Sequence, residues 1–192
     1  MTQFFRILLA AAAGLALGLM ATAYALSHSS PFDRVKLGPW RITAHAGSIG
    51  VDPYTRARLE RTGEIPLAIG EGLQLTARTD DQGRRLDPRC VYEVGPRVPA
   101  ARYWTLSLVD PNGFPVANLA ERYGFRSSEI LRSGNGDFAI RVAADAQPGS
   151  WLPIGAQAPF ALVLRLYDTP LGATAGAIER SAVPNVTRIG CG

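Results

Sequence analysis

Leu73-Gln74-Leu75-Thr76-Ala77-Arg78-Thr79 alternates apolar and polar side chains with a period of two. That is the pattern of a strand with one face buried and the other wet. Asp80-Asp81-Gln82-Gly83 follows as a turn, and Cys90-Val91-Tyr92-Glu93-Val94 reads as the returning strand. Working downstream, residues 103–109 form a further strand, closed by Asp110-Pro111-Asn112-Gly113, whose proline and Asn-Gly suit a tight turn. Asn135-Gly136-Asp137 opens a strand over 138–142. Residues 160–167 make the longest apolar strand, and 186–189 a last one. Residues 104–111 and 162–170 echo each other, each a strand running into an aspartate and a proline.

Upstream, Trp40-Arg41-Ile42-Thr43 has strand character. Asp52-Pro53 predicts a helix start, an aspartate cap followed by proline at the first helical position, with a helix over 53–62 and Gly63 as its stop. No other helix is evident after it. A parallel sheet would need helices between its strands, and the chain has no room for them. The expected fold is therefore an all-β antiparallel sandwich, jelly-roll-like, with one short helix near its start.

Residues 7–26 are an apolar run without a charge, preceded by Arg6. As a helix of about twenty residues it spans roughly 30 Å, the thickness of a bilayer's hydrocarbon core. Length, and Tyr24 at the outer edge, fit a retained membrane anchor. Ala21-Thr22-Ala23 and Ala23-Tyr24-Ala25 fit cleavage of a signal peptide. A buried core helix is the remaining alternative, with no matching helical partner later in the chain. Arg6 keeps the amino end cytoplasmic and sends the rest outward, to the periplasm or its equivalent. The expected organisation is an anchor or signal peptide over 1–26, a tether over 27–38 punctuated by Pro31 and Gly38, and one β domain over 39–192.

About 166 residues follow the apolar run, enough for one domain with a substantial core. The net charge is +4, with Lys36 as the sole lysine. The arginines are scattered singly, with no run longer than Arg84-Arg85, which argues against a nucleic-acid partner. Two cysteines, Cys90 and Cys191, would stand in an oxidising compartment, where an even count favours a disulfide over two unpaired thiols. A catalytic thiol is disfavoured, because the only histidines are His28 and His45 and neither is nearby in sequence.

No cofactor or metal motif is present. Asp110 with Asn112, and Asn135 with Asp137, are too sparse for a calcium loop and read as turn chemistry. His45 is the one possible base for a serine hydrolase, and no Gly-x-Ser-x-Gly elbow exists. Glu71, Glu93, Asp110 and Asp168 could supply the paired carboxylates of a glycosidase. A ligand site draws instead on Arg122, Tyr123, Trp151, Arg165 and Tyr167, since guanidinium forks suit carboxylate or phosphate and aromatic faces suit sugars. Arg165 interrupts an apolar strand, where alternation puts Leu162, Leu164 and Leu166 on one face and Val163, Arg165 and Tyr167 on the other. Either Arg165 lines a polar concave face or it pairs structurally with Asp110 or Asp168.

Several stretches together resemble the bacterial family catalogued as domain of unknown function 1214. They are Trp104-Thr105-Leu106 with Asp110, Asn118, Arg122-Tyr123, Gly136-Asp137-Phe138, Trp151-Leu152-Pro153 and Leu164-Arg165-Leu166-Tyr167. Asp52-Pro53-Tyr54-Thr55-Arg56-Ala57, Glu71-Gly72-Leu73 and both cysteines are similar to its short, membrane-anchored version. One departure is Ser150, where the family often has asparagine. The resemblance implies an all-β domain, which in longer relatives pairs with a second β domain, and brings no reaction with it. The expected role is a non-catalytic envelope module, held to the membrane by its N-terminal helix, that binds a small ligand or an envelope protein. The alternatives are an envelope hydrolase of a sugar-like substrate and a purely structural partner.

Overall fold

The structure is a computed structural model that describes residues 2–27, 34–43, 46–62, 64–155, 159–171 and 178–192. Helix α1 (Thr2–Ser27) contains a span long and apolar enough to cross a bilayer, and none of that span is buried against the rest of the chain. The core-helix reading is thereby removed. Strands β1 (Arg34–Leu37) and β2 (Trp40–Thr43) precede helix α2 (Pro53–Thr62). There follow β3 (Gly72–Ala77), β4 (Cys90–Gly95), β5 (Tyr103–Val109), β6 (Gly124–Arg126), β7 (Ile140–Ala143), β8 (Ser150–Pro153), β9 (Ala161–Tyr167) and β10 (Asn185–Cys191).

Two sheets form the sandwich. One has six strands in the order β1-β2-β3-β9-β5-β6, the other four in the order β10-β4-β7-β8. The alternation in β3 does what its period requires: Leu73, Leu75 and Ala77 are buried while Gln74 and Thr76 face outward. Register carries that alternation across the sheet. Ile42 pairs with Leu75, Leu75 with Leu164, Leu164 with Leu106 and Leu106 with Phe125, so one apolar row crosses five strands. Opposite it, Tyr92, Val94, Ile140, Val142, Leu152 and Val186 come from the small sheet and complete the core. Each such leucine contributes about 1.5–3 kcal/mol by leaving water. Trp40, fully buried, ties the layers together by donating its indole N–H to the Pro184 carbonyl at 2.6 Å.

The short helix starts where expected. Asp52 Oδ1 accepts the backbone N–H groups of Tyr54 and Thr55, both at 3.0 Å, filling two of the donors a helix start leaves unpaired. Hydrogen bonding, led by Thr55, holds the Asp52 carboxyl below its ordinary range. The cysteines are also joined: Cys90 and Cys191 are register partners on β4 and β10 and form a disulfide.

Three details differ from expectation. Residues 34–37, read as tether, form β1 and pair with β2. Strands β6 and β8 were not expected, since three or four residues are too few to display a period. Finally, β7 and β8 pair in parallel rather than antiparallel, joined only by residues 144–149. His28, Pro31, His45 and Gly63 lie outside the described residues.

Candidate functional site

The outward face of the six-stranded sheet is polar at its centre. Arg165 on β9 is the register partner of Gln74 on β3 and of Thr105 on β5, and Thr105 is the partner of Arg126 on β6. Arg165 is half-buried and donates Nε–H to Oε1 of Gln74 at 3.0 Å. The Gln74 amide in turn donates to Glu64 Oε1 at 2.9 Å. Neither carboxylate considered as a structural partner reaches Arg165. Asp110 accepts the N–H groups of Asn112 and Phe114 in its own turn, at 2.8 and 2.9 Å. Asp168 contacts Arg102 at 3.4 Å.

One wall beside this face comes from the segment leading into β6. Asn118 holds it like a clasp: Nδ2 donates to the Arg122 carbonyl at 2.9 Å, and Oδ1 accepts the Arg122 N–H at 3.1 Å. The enclosed turn puts Glu121 at φ 49°, a left-handed conformation uncommon outside glycine and asparagine. Arg122 leaves this turn with its guanidinium over the Phe125 ring, 5.4 Å from the centroid, and Nη1 donating to the Trp151 carbonyl at 2.8 Å.

Arg122, Tyr123, Arg126 and Arg165 line an open groove of about 750 Å³, together with Thr105 and Ser107. Glu121 and Glu129 also border it. Glu129 Oε2 caps the Arg126 N–H at 2.9 Å, and its other oxygen stands 3.8 Å from the Arg126 guanidinium. Arg122 and Arg165 are thus held by neutral acceptors, a carbonyl and an amide, and among the described residues neither is ion-paired with a carboxylate. Such forks can each offer paired N–H donors to a carboxylate or phosphate.

The five residues expected to form a site therefore divide. Arg122, Tyr123 and Arg165 come together. Tyr167 lies on the same sheet face but packs on Tyr103 across the strands, ring centroids 5.9 Å apart. Trp151 belongs to the small sheet and donates its indole N–H to Ala143 at 3.0 Å; only its carbonyl serves the groove. The sequence pattern does not single out Arg126, Thr105, Ser107 or Gln74. The period-two pattern of β3 and β5 could have placed the last three outward, but their neighbours depend on register.

Other motif residues are spent on the fold. Trp104 packs on Phe138 in the core, centroids 5.1 Å apart. Asp137 pairs with Arg97 and accepts from Asn135, and the Arg97 hydrogen bond, first among the causes, holds its carboxyl below the ordinary range. The buried Ser150 hydroxyl accepts the Leu131 N–H at 3.1 Å, a task that needs no amide. The four carboxylates considered for a glycosidase stand apart from any shared buried cleft. Glu71 and Asp168 are exposed, Asp110 is in its turn, and Glu93 pairs with Arg141 on the other sheet at 2.9 Å.

A family model described as protein of unknown function (DUF1214) matches residues 71–171, just over half of the chain. No curated protein matches the sequence. The fold is similar to the crystal structure of the VPA0106 protein from Vibrio parahaemolyticus, with TM-score 0.59 and 18% identity over 73% of this chain and 36% of that one. An uncharacterized protein from Burkholderia cenocepacia matches with TM-score 0.45 and 16% identity, over 88% of this chain and 39% of its own. The chain thus spans little more than a third of either structure's length, and the Vibrio likeness speaks for the fold alone.

Proposed function

Given that the chain belongs to the family of proteins of unknown function DUF1214, we propose that it is a membrane-anchored envelope module that binds an anionic ligand without transforming it. The ligand's carboxylate or phosphate sits in the groove over β9, β5 and β6, between Arg122 and Arg165. The observation that carries this reading is that both guanidiniums are fixed by neutral acceptors, leaving their charge for a ligand. Tyr123 supplies an aromatic face, and Thr105 and Ser107 supply hydroxyls for the ligand's remaining polar groups.

The apolar span of α1 and the Cys90–Cys191 disulfide support residence outside the cytoplasm, with the β domain in the periplasm. Cleavage near Ala23 or Ala25 would free the same domain in that compartment. The test is a thermal-shift screen of the full chain in detergent against di- and tricarboxylates, sugar phosphates and neutral sugars. An anion that raises the melting temperature, and loses that effect in Arg165→Gln, supports the reading. Stabilisation by neutral sugars alone, unchanged in Arg165→Gln, overturns it.

A further inference from the structure

The other half of the same sheet face, away from the groove, has its own charge pattern. The six strands of the large sheet contain no aspartate or glutamate. At the β1 edge, Lys36 is the register partner of Arg41, and Arg41 of Thr76. Lys36 and Arg41 are exposed, as is Arg78 just past β3. Helix α2 lies beside them, and with β2 and β3 it encloses a hollow of about 150 Å³ lined by Arg41, Arg58 and Arg78 with Glu64 as its single acid. Helix α2 itself carries one carboxylate, Glu60.

Several arginines elsewhere in the molecule are each paired with a carboxylate. Arg84 pairs with Asp80, Arg89 with Asp87, Arg97 with Asp137, Arg141 with Glu93 and Arg180 with Asp81. Among the described residues no carboxylate pairs with Lys36, Arg41 or Arg78. A set of cations with no carboxylate paired to them, running from the edge strand β1 across β2 to the end of β3, presents a positive field to whatever lies outside it.

What lies outside it follows from chain length. Only residues 28–33 separate α1 from β1. At about 3.5 Å per extended residue, β1 starts within roughly 25 Å of the end of the apolar helix. Helix α2 also contacts α1. With α1 in a bilayer, the cationic edge stands next to the headgroups.

We propose that the β1–β2–β3 edge docks on the anionic phospholipid headgroups of the membrane that α1 enters, through Lys36, Arg41 and Arg78. This goes beyond the groove and uses none of its residues. It orients the domain with that edge down and the groove over β5 and β6 turned away from the lipid.

Lys36 is the sole lysine, so its acylation, read by mass spectrometry, reports directly on this edge. The full chain is placed in nanodiscs of phosphatidylcholine alone or mixed with phosphatidylglycerol. At low salt Lys36 should react several-fold more slowly in the anionic discs. That gap should close at about 1 M salt, where the screening length falls to about 3 Å. In Arg41→Gln/Arg78→Gln, which leaves the connection to α1 intact, docking should weaken by about fivefold per cation removed and the gap should approach unity. An unchanged melting temperature would show that the variant is folded. Equal Lys36 rates in the two lipids overturn the proposal. So does a gap that persists in the variant, which mere closeness to lipid would explain. A chain that fails to enter the discs overturns the anchor itself, an outcome separate from both.

Discussion

Arg165 and Gln74, ninety-one residues apart in the chain, meet across the β9–β3 pairing at 3.0 Å. The amide fixes the guanidinium's direction without cancelling its charge. A carboxylate in the same place would have made Arg165 a scaffold residue.

Leu164 and Arg165, adjacent in sequence, should therefore separate stability from binding. Leu164 is 1% exposed in the core, and Leu164→Ala should cost about 2–5 kcal/mol in urea unfolding. Arg165→Ala should leave the unfolding midpoint nearly unchanged. It should weaken an anionic ligand by about 10- to 100-fold in titration calorimetry, the scale of a lost charge-assisted hydrogen bond.

Asn118 positions Arg122 without lining the groove. Asn118→Ala should loosen the turn and lower affinity while Arg165 remains in place. Combining it with Arg122→Ala should add little further loss, because both act on the same guanidinium. A double-mutant cycle reads this directly.

The Cys90–Cys191 bond closes a loop with a sequence separation of 101. Chain entropy for a loop of about 100 residues gives about 4.7 kcal/mol, and about 2–4 is typical. Cys90→Ser/Cys191→Ser should lower unfolding stability by about that amount, and fraying should begin at β10. Hydrogen exchange of the β10 amides in oxidised and reduced protein checks both points.

Acid should weaken the fold in a defined window. Arg89 donates to Asp87 at 2.8 Å, and that bond, the leading cause, lowers the carboxyl from its ordinary 3.8 to about 2. A carboxyl depressed in the folded state stabilises the protein above its unfolded value and loses that contribution as pH falls through the folded one. Melting temperature should thus be insensitive to this group above about pH 5 and fall between about pH 4 and 2. Asp110 and Asp137 are lowered too, by the Phe114 N–H and by Arg97 respectively, and act with the same sign. Arg89→Gln should flatten the low-pH limb, as seen by circular dichroism.

Removing the Ser150 hydroxyl should cost about 0.5–1.5 kcal/mol, since the Leu131 N–H would lose its acceptor at a partly buried position. Ser150→Ala measured by urea unfolding tests this. A near-neutral result would mean that water reaches Leu131.

Sequence legibility followed length and period. Strands β3, β5 and β9 were legible because six or seven residues show an alternation. Gly124-Phe125-Arg126 is too short to show one, so Arg126 went unnoticed although it borders the groove. Arg165 stood out because a charge in an apolar strand must find an outlet. Its neighbour Gln74 could not be named, because the register between β3 and β9 is a property of the whole sheet. The ring of Trp151 is what its sequence advertises, yet Arg122 uses its carbonyl. The arginines look scattered along the chain for a related reason. Alternation sends those in the large sheet, Arg41, Arg126 and Arg165, to the outward side of their strands, and pairing then gathers them on one face.

The bond between β4 and the penultimate residue has a further consequence for handling the protein. A single backbone cut anywhere in residues 91–190 leaves the two pieces covalently joined. A nicked molecule would therefore run as one band on a non-reducing gel and separate only when thiol is added. Limited digestion followed by reduction would map exposed loops that ordinary degradation assays on this chain would miss.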